Sequence, residues 1–430
     1  MKKTVVPYPG LGCAGHLMPM IVLAKVFVQH GVAVTVALVK PPPDLGAVEF
    51  PAVVARAAAS NPSISFHVLP ASSSLPATSG SGSDSSSSSD DAPTRKHYVL
   101  EMVYCLKAMN APLRDFLRSL PAVDALVIDM FCPDALDVAA DLRLPVYYTY
   151  ASCAGDLAAF LSLAFNQDIS AASLTAGGDT TLSLPGAPPF KASDLPRVVL
   201  DDPEAANAIL ERMPASDGIL LNTFVELETR AVRALREGLC VPGRATPPVY
   251  CIGALVSGGG GEKDHECLRW LDSQPDRSVV FLCFGSQGTF SERLLKEIAV
   301  GLERSEQRFL WVVHAPGRVD DEKLGLGDRR DTLPEPDLSV LLPDGFLERT
   351  KGRGLVVKCW ETQVDVLRHR AAGAFVTRCG WNSTLEGIVA GLPLLCWPMY
   401  AEQKMNTMFI VQEMKLGVEM RGYDDGEVGD

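Results

Sequence analysis

The sequence predicts an α/β protein of two facing domains, each a parallel sheet flanked by helices, with a cleft between them. Three observations carry this. The 430-residue chain is too long for one ordinary hydrophobic core. Apolar strand-like runs alternate with helical runs in both halves, and a glycine run separates the two series.

In the first half "TVVPYP" reads as a strand, "VLAKVFVQH" as a helix and "VAVTVALV" as the next strand. Farther on, "ALVIDMF" and "PVYYTY" read as strands around the helix "DALDVAADL". Such βαβ units close right-handed and make a parallel sheet. Residues 72–94, "SSSLPATSGSGSDSSSSSDDAPT", bury too little apolar area to offset their ordering entropy and are expected to form a flexible loop. The second break is "SGGGGEKDHE", residues 257–266, read as a linker. Beyond it "SVVFLCFGS", "RFLWVVH", "GLVVKCW", "GAFVT" and "PLLCWP" supply strands, and "SERLLKEIAVGLERS" a helix.

Composition narrows the class. Apolar residues make up 47% and charged residues 21%, as in soluble globular proteins. A net charge of −13 argues against nucleic acid as a partner. The 11 cysteines are scattered without a C-x-x-C, a pattern of reduced thiols that points to the cytoplasm. The opening "MKKTVVPYPG" lacks the apolar core of a secretory leader, and no apolar run approaches ~18 residues, so no stable membrane insertion is expected.

Gly10, Gly12 and Gly15 spell G-x-G-x-x-G after the first strand, the spacing of a dinucleotide-binding loop. That reading also needs an acidic residue at the end of the next strand. Lys40 stands there instead and suits at most the extra phosphate of NADP. The nicotinamide reading is therefore the weaker one.

Residues 360–403 read "WETQVDVLRHRAAGAFVTRCGWNSTLEGIVAGLPLLCWPMYAEQ". This stretch resembles, over its full length, the plant secondary product glycosyltransferase box, the donor-binding signature of family 1 UDP-glycosyltransferases. "GHLMPM", "VIDMFCPDALDVA", "ILLNTFVELE", "WLDSQPDRSVVFLCFGSQG" and "RFLWVV" resemble further landmarks of that family, in its order. The resemblance implies the GT-B fold of two Rossmann-like domains: residues 1–250 for the acceptor, a linker over 251–266, and residues 267–430 for the UDP-sugar. It implies a monomer that uses UDP-glucose without metal or other cofactor. The acceptor it suggests is a small phenol such as a flavonoid or anthocyanidin.

Residue by residue, the box also has a physical reading. Trp360 can stack on uracil, as an aromatic at a strand end, or simply fill a core. "RCGWNSTLEGIVAG" reads as a loop entering a helix, with Asn382 or Ser383 as the N-cap. Free N–H groups at such a terminus seat a diphosphate. By resemblance, the peptide of Glu361 meets the uracil edge, Gln363 and Glu386 the ribose, and Asn382, Ser383 and Ser286 the phosphates. Glu402 and Gln403, helped by Trp381, would meet the sugar hydroxyls, and a final Gln favours glucose.

Transfer to a hydroxyl needs a base, and histidine suits it because its pKa lies near neutral. His16 and Asp129, each read as ending a strand of the first domain, match the family's catalytic pair. Asp134 and Asp137 are alternatives to Asp129, although they fall on the following helix as its cap and solvated face. Three departures from the family stand out. Arg378 occupies the usual His position beside the phosphates, and "WETQ" replaces "WAPQ". The chain also stops at "RGYDDGEVGD", without the family's terminal helices, so weakened domain closure and exposed apolar surface are expected. These departures leave a second reading: a degenerate relative that binds UDP or a phenol without transferring sugar.

Overall fold

A computed structural model describes residues 2–11, 14–41, 50–71, 98–166, 180–259, 265–285, 288–316, 335–358 and 363–422. The expected Ser-rich segment 72–94, and part of the expected linker, lie outside them.

Among the described residues nine strands form in the first part of the chain: β1 Thr4–Tyr8, β2 Ala33–Leu38, β3 Ser65–Val68, β4 Ala125–Asp129, β5 Val146–Tyr150, β6 Thr181–Leu182, β7 Phe190–Lys191, β8 Gly218–Leu221 and β9 Val249–Cys251. Apart from the small β6–β7 hairpin they build one parallel sheet, ordered β3-β2-β1-β4-β5-β8-β9. Six more follow: β10 Val279–Leu282, β11 Arg308–Val312, β12 Gly354–Val357, β13 Ala372–Thr377, β14 Leu394–Cys396 and β15 Gly417–Glu419. They form a second parallel sheet, ordered β12-β11-β10-β13-β14-β15. The two-domain parallel architecture expected from the alternation is what the chain adopts.

Both sheets are covered on two faces, which explains the near-continuous apolar runs of their central strands. Val127, Ile128, Phe281 and Phe375 are each at most 2% exposed. In each sheet the strand order reverses once, between β1 and β4 and between β10 and β13. At such a switch point the connecting loops diverge to opposite faces and leave a crevice at the carboxyl ends of the strands.

Two local expectations need correction. The helix after β1 spans Ala14–Gln29, starting eight residues earlier than "VLAKVFVQH" suggested. His16 is therefore in the first turn of a helix rather than at a strand end, and Pro19 is accommodated inside that helix. The second correction concerns the helix Trp381–Val389, whose N-cap is Gly380, in an extended conformation with no side-chain cap bond. Asn382 and Ser383 lie within the first turn, where their side chains are not committed to capping. Elsewhere the local signals hold: Ser291 caps the helix Glu292–Ser305 by accepting the Leu294 N–H at 3.3 Å. The nine described cysteines are all free thiols.

The two sheets share apolar packing. Trp381, Leu385, Met405, Met408 and Phe409 belong to the same buried cluster as Tyr8, Ile128, Tyr148 and Leu157 of the first sheet and its helices. The helix Gln403–Met408 continues as a π-helical turn over Phe409–Met414, which carries Phe409 across to the first domain. The tip of its ring abuts Gly155, where a Cβ would fall 2.3 Å from the ring carbon Cζ. Only glycine fits there. Replacing Phe409 with Ala should lower stability by about 3–5 kcal/mol, read as an earlier midpoint in urea unfolding followed by tryptophan fluorescence.

Candidate functional site

The first switch point brings together two of the residues singled out from sequence. Asp129 ends β4 and is 1% exposed; His16 rides on the helix that follows β1 and its side chain is 21% exposed. His16 Nδ1 lies 2.7 Å from Asp129 Oδ2. The other carboxylate oxygen accepts the Phe131 N–H at 3.0 Å, so the carboxylate is held at both ends. The proton of the His–Asp bond then sits on Nδ1, and Nε2 is left as the basic nitrogen. The Phe131 ring lies 5.0 Å from the imidazole and limits its rotation. Burial alone pulls the His16 pKa down, but the charge and hydrogen bond of Asp129, with the charge of Glu402, outweigh it and leave the pKa raised.

Neither alternative acid shares this position. Asp134 stands at the N-cap position of the helix Ala135–Leu142 without a side-chain cap bond, and pairs with Arg212 at 3.1 Å. Asp137 also pairs with Arg212, which holds its carboxyl below the usual range. Lys40 is exposed, two residues past the end of β2.

The second switch point gathers the other expected residues. Cys379, at a left-handed φ of +67°, turns the chain between β13 and the helix Trp381–Val389. Arg378 points from this turn toward the loop after β10. A Cβ on Gly285 would fall 2.9 Å from its guanidinium carbon, and the guanidinium lies over the Tyr400 ring, 5.1 Å from its centre. The end of β10 is anchored by Phe284, packed edge-on against Phe290 and Trp397. Gln363 Nε2 donates to Ser383 Oγ at 3.0 Å and to Glu386 Oε2 at 2.6 Å. Burial pushes the Glu386 carboxyl up to about 7, against the Gln363 bond and the charge of Arg368.

Glu402 is half-buried at the N-cap position of the helix Gln403–Met408, and Gln403 is buried. Its Oε1 accepts the N–H groups of Met399 at 2.9 Å and Tyr400 at 3.1 Å. Burial raises the Glu402 pKa, opposed by Arg378, His16 and Asn406. Trp381 is 2% exposed, and its indole N–H donates to the Asn222 carbonyl of the first domain at 2.8 Å. Asn382 Nδ2 donates to the Gly15 carbonyl at 2.9 Å, one residue before His16. Ser286, Trp360 and Glu361 lie outside the described residues.

Sequence reasoning missed Asn406. It is fully buried, donates to the Cys379 carbonyl at 2.9 Å, and lies 3.4 Å from both Glu402 Oε1 and Ser152 Oγ. Its spacing of four from Glu402 on one helix was the available signal. Among the described residues no helix is long and apolar enough to cross a membrane, and no group of three potential ligands could hold a metal.

Two parallel-sheet α/β domains, each with a switch point and joined across a shared seam, make a GT-B fold. Comparison with known proteins agrees. Residues 239–419 match the family described as UDP-glucoronosyl and UDP-glucosyl transferase. The anthocyanidin 5,3-O-glucosyltransferase of a Rosa hybrid cultivar is 39% identical over 98% of this chain and 86% of its own. The phloretin 2'-O-glucosyltransferase of Pyrus communis is 39% identical over 100% of this chain and 89% of its own. The solved structure of Phytolacca americana UGT2 complexed with UDP-2fluoro-glucose and pterostilbene superposes with a TM-score of 0.79. It is 32% identical, with 97% of this chain and 85% of that one covered. The chain belongs to the UDP-glycosyltransferases, enzymes that transfer sugar from a UDP-sugar donor.

The raised Glu386 pKa has a measurable consequence. With Glu386 on the ribose, as the resemblance implies, its carboxylate would accept two hydroxyls better than its carboxylic acid, and it ionises as pH rises through about 7. UDP should bind more tightly at pH 8 than at pH 6 by calorimetry, and Glu386→Gln should flatten that dependence.

Proposed function

We propose that the chain is an inverting UDP-glucose-dependent O-glucosyltransferase acting on a small phenolic acceptor such as a flavonoid or anthocyanidin. The observation that carries this is the His16–Asp129 pair, tied by the Asn382–Gly15 bond to the N-terminus of the helix Trp381–Val389. His16 Nε2 removes the phenolic proton as the phenol oxygen bonds to the sugar C1. The bond from C1 to the β-phosphate oxygen breaks, UDP leaves with the electron pair, and an α-linked donor yields a β-glucoside. Asp129 holds the Nδ1 proton and stabilises the imidazolium as it forms.

The donor residues divide the UDP-sugar between them. Trp360 and the Glu361 peptide take uracil, Gln363 and Glu386 the ribose, and Glu402, Gln403 and Trp381 the glucose. Asn382, Ser383, Ser286 and Arg378 take the diphosphate, supplying with the helix N-terminus the positive potential that a metal gives other transferases. Arg378 keeps its charge at every working pH, unlike the His it replaces, and can pair with phosphate. Residues 1–250 serve the acceptor and 267–430 the donor, joined through 251–266, in a monomer whose free thiols suit the cytoplasm. Support for the phenolic class comes from the relatives named for anthocyanidin and phloretin.

A panel of flavonoids, chalcones and simple phenols with UDP-glucose, read by mass for the gain of one hexose, tests the reading directly. UDP binding without turnover on any phenol would return the chain to the binding-only alternative. His16→Ala should lower kcat/KM by at least about 100-fold while leaving UDP affinity near that of the parent. Because the base must be neutral and its pKa is raised, kcat/KM should fall as pH drops through a value above 6.5. Asp129→Asn should move that limb to lower pH.

A further inference from the structure

The helix Ala14–Gln29 contains a proline at its sixth position. In a regular helix the N–H of residue 19 would donate to the carbonyl of residue 15. Pro19 has no N–H, and its ring pushes the carbonyl four residues earlier away from the helix axis. That carbonyl belongs to Gly15, and it is the one that accepts the Asn382 amide from the donor domain at 2.9 Å. Gly15 is exposed, so its carbonyl lies within reach of the donor domain.

A carbonyl only accepts, so the bond fixes the orientation of the Asn382 amide, with Nδ2 toward Gly15. Asn382 Oδ1 is buried and has no partner among the described residues, so the Gly15 bond is what holds this side chain. The next residue after Gly15 is His16, bonded in turn to Asp129. One hydrogen bond thus links the N-terminal turn expected to take the diphosphate to the turn that carries the base.

The geometry points to Pro19 as a positioning residue: by withholding one backbone N–H it frees the Gly15 carbonyl to latch Asn382, setting His16 in register with the donor site. The inference deepens the transferase reading and rests on it. Pro19→Ala restores the helical donor, which competes for the Gly15 carbonyl and weakens the latch. A proline kept only for stability would lower the melting temperature when replaced, whereas alanine, the better helix former, leaves the helix intact here.

The expected result for Pro19→Ala is an unchanged or raised melting temperature with kcat lowered about three- to tenfold, the worth of one hydrogen bond. The KM for UDP-glucose should stay within twofold. In an Asn382→Ala background, Pro19→Ala should change kcat by less than twofold, since the bond is already gone. An unchanged kcat in Pro19→Ala overturns the inference, as do losses that multiply independently in the double variant. Should the parent transfer no sugar to any phenol, the transferase reading fails separately. Hydrogen exchange then decides: Asn382→Ala should speed exchange over residues 14–22 in the parent and leave it unchanged in Pro19→Ala. Equal acceleration in both backgrounds would overturn the latch.

Discussion

Everything in the cleft depends on the seating of Phe409 against Gly155. The aromatic ring stands on the second domain, its receiving surface on the helix Ala154–Phe165 of the first, and neither domain alone would bury it. Two switch points then face each other at a fixed spacing. Non-directional apolar packing would permit sliding. Directional bonds across the seam remove that freedom: Trp381 to the Asn222 carbonyl, and Asn382 to the Gly15 carbonyl. Burial brings the halves together, and these bonds set their register.

A polar seam runs beneath the same contact. Glu228 accepts the N–H groups of Ala154 and Gly155, both at 3.0 Å, and so occupies the positive end of the helix that receives Phe409. Asp156 accepts from Ser152 at 2.6 Å, and Ser152 lies near Asn406. Burial raises the pKa of Asp156, Glu228 and Glu402 alike. Of these three acids, Glu402 is the one that acts on His16, which stays more basic than its burial alone would allow. Asp129 acts on the imidazole first, and the Glu402 carboxylate after it.

Much of this was legible in the sequence because its causes are local. Strands such as Ala125–Asp129 and Ala372–Thr377 announce themselves as apolar runs covered on both faces. The His16–Asp129 pair followed from family resemblance together with placement near the ends of neighbouring strands. The start of the His16 helix was less legible, because glycines and a proline argue against helix on propensity, and tertiary packing overrides them. Short strands such as β8 and β9 give too few residues for a period to show. Contacts such as those of Asn406 with Cys379, or of Trp381 with Asn222, join residues far apart in the chain. No periodicity reports which side chain will meet which carbonyl across a cleft. Likewise Gly380, not Asn382, caps its helix, since the two polar side chains that propensity favours for a cap stand too far along the turn.

Gln403 shows how a single buried amide can give the cleft a polarity. Two backbone N–H groups hold its oxygen, so rotating the amide by half a turn would set nitrogen against nitrogen. The side chain is thereby a one-way group, with its nitrogen turned away from the Met399–Tyr400 backbone. Exchange of Gln403 for Glu would keep the shape and the grip on the turn while replacing that donor with an acceptor. A change of one atom's identity, with almost no change of volume, would reverse the hydrogen-bonding sense of this side chain.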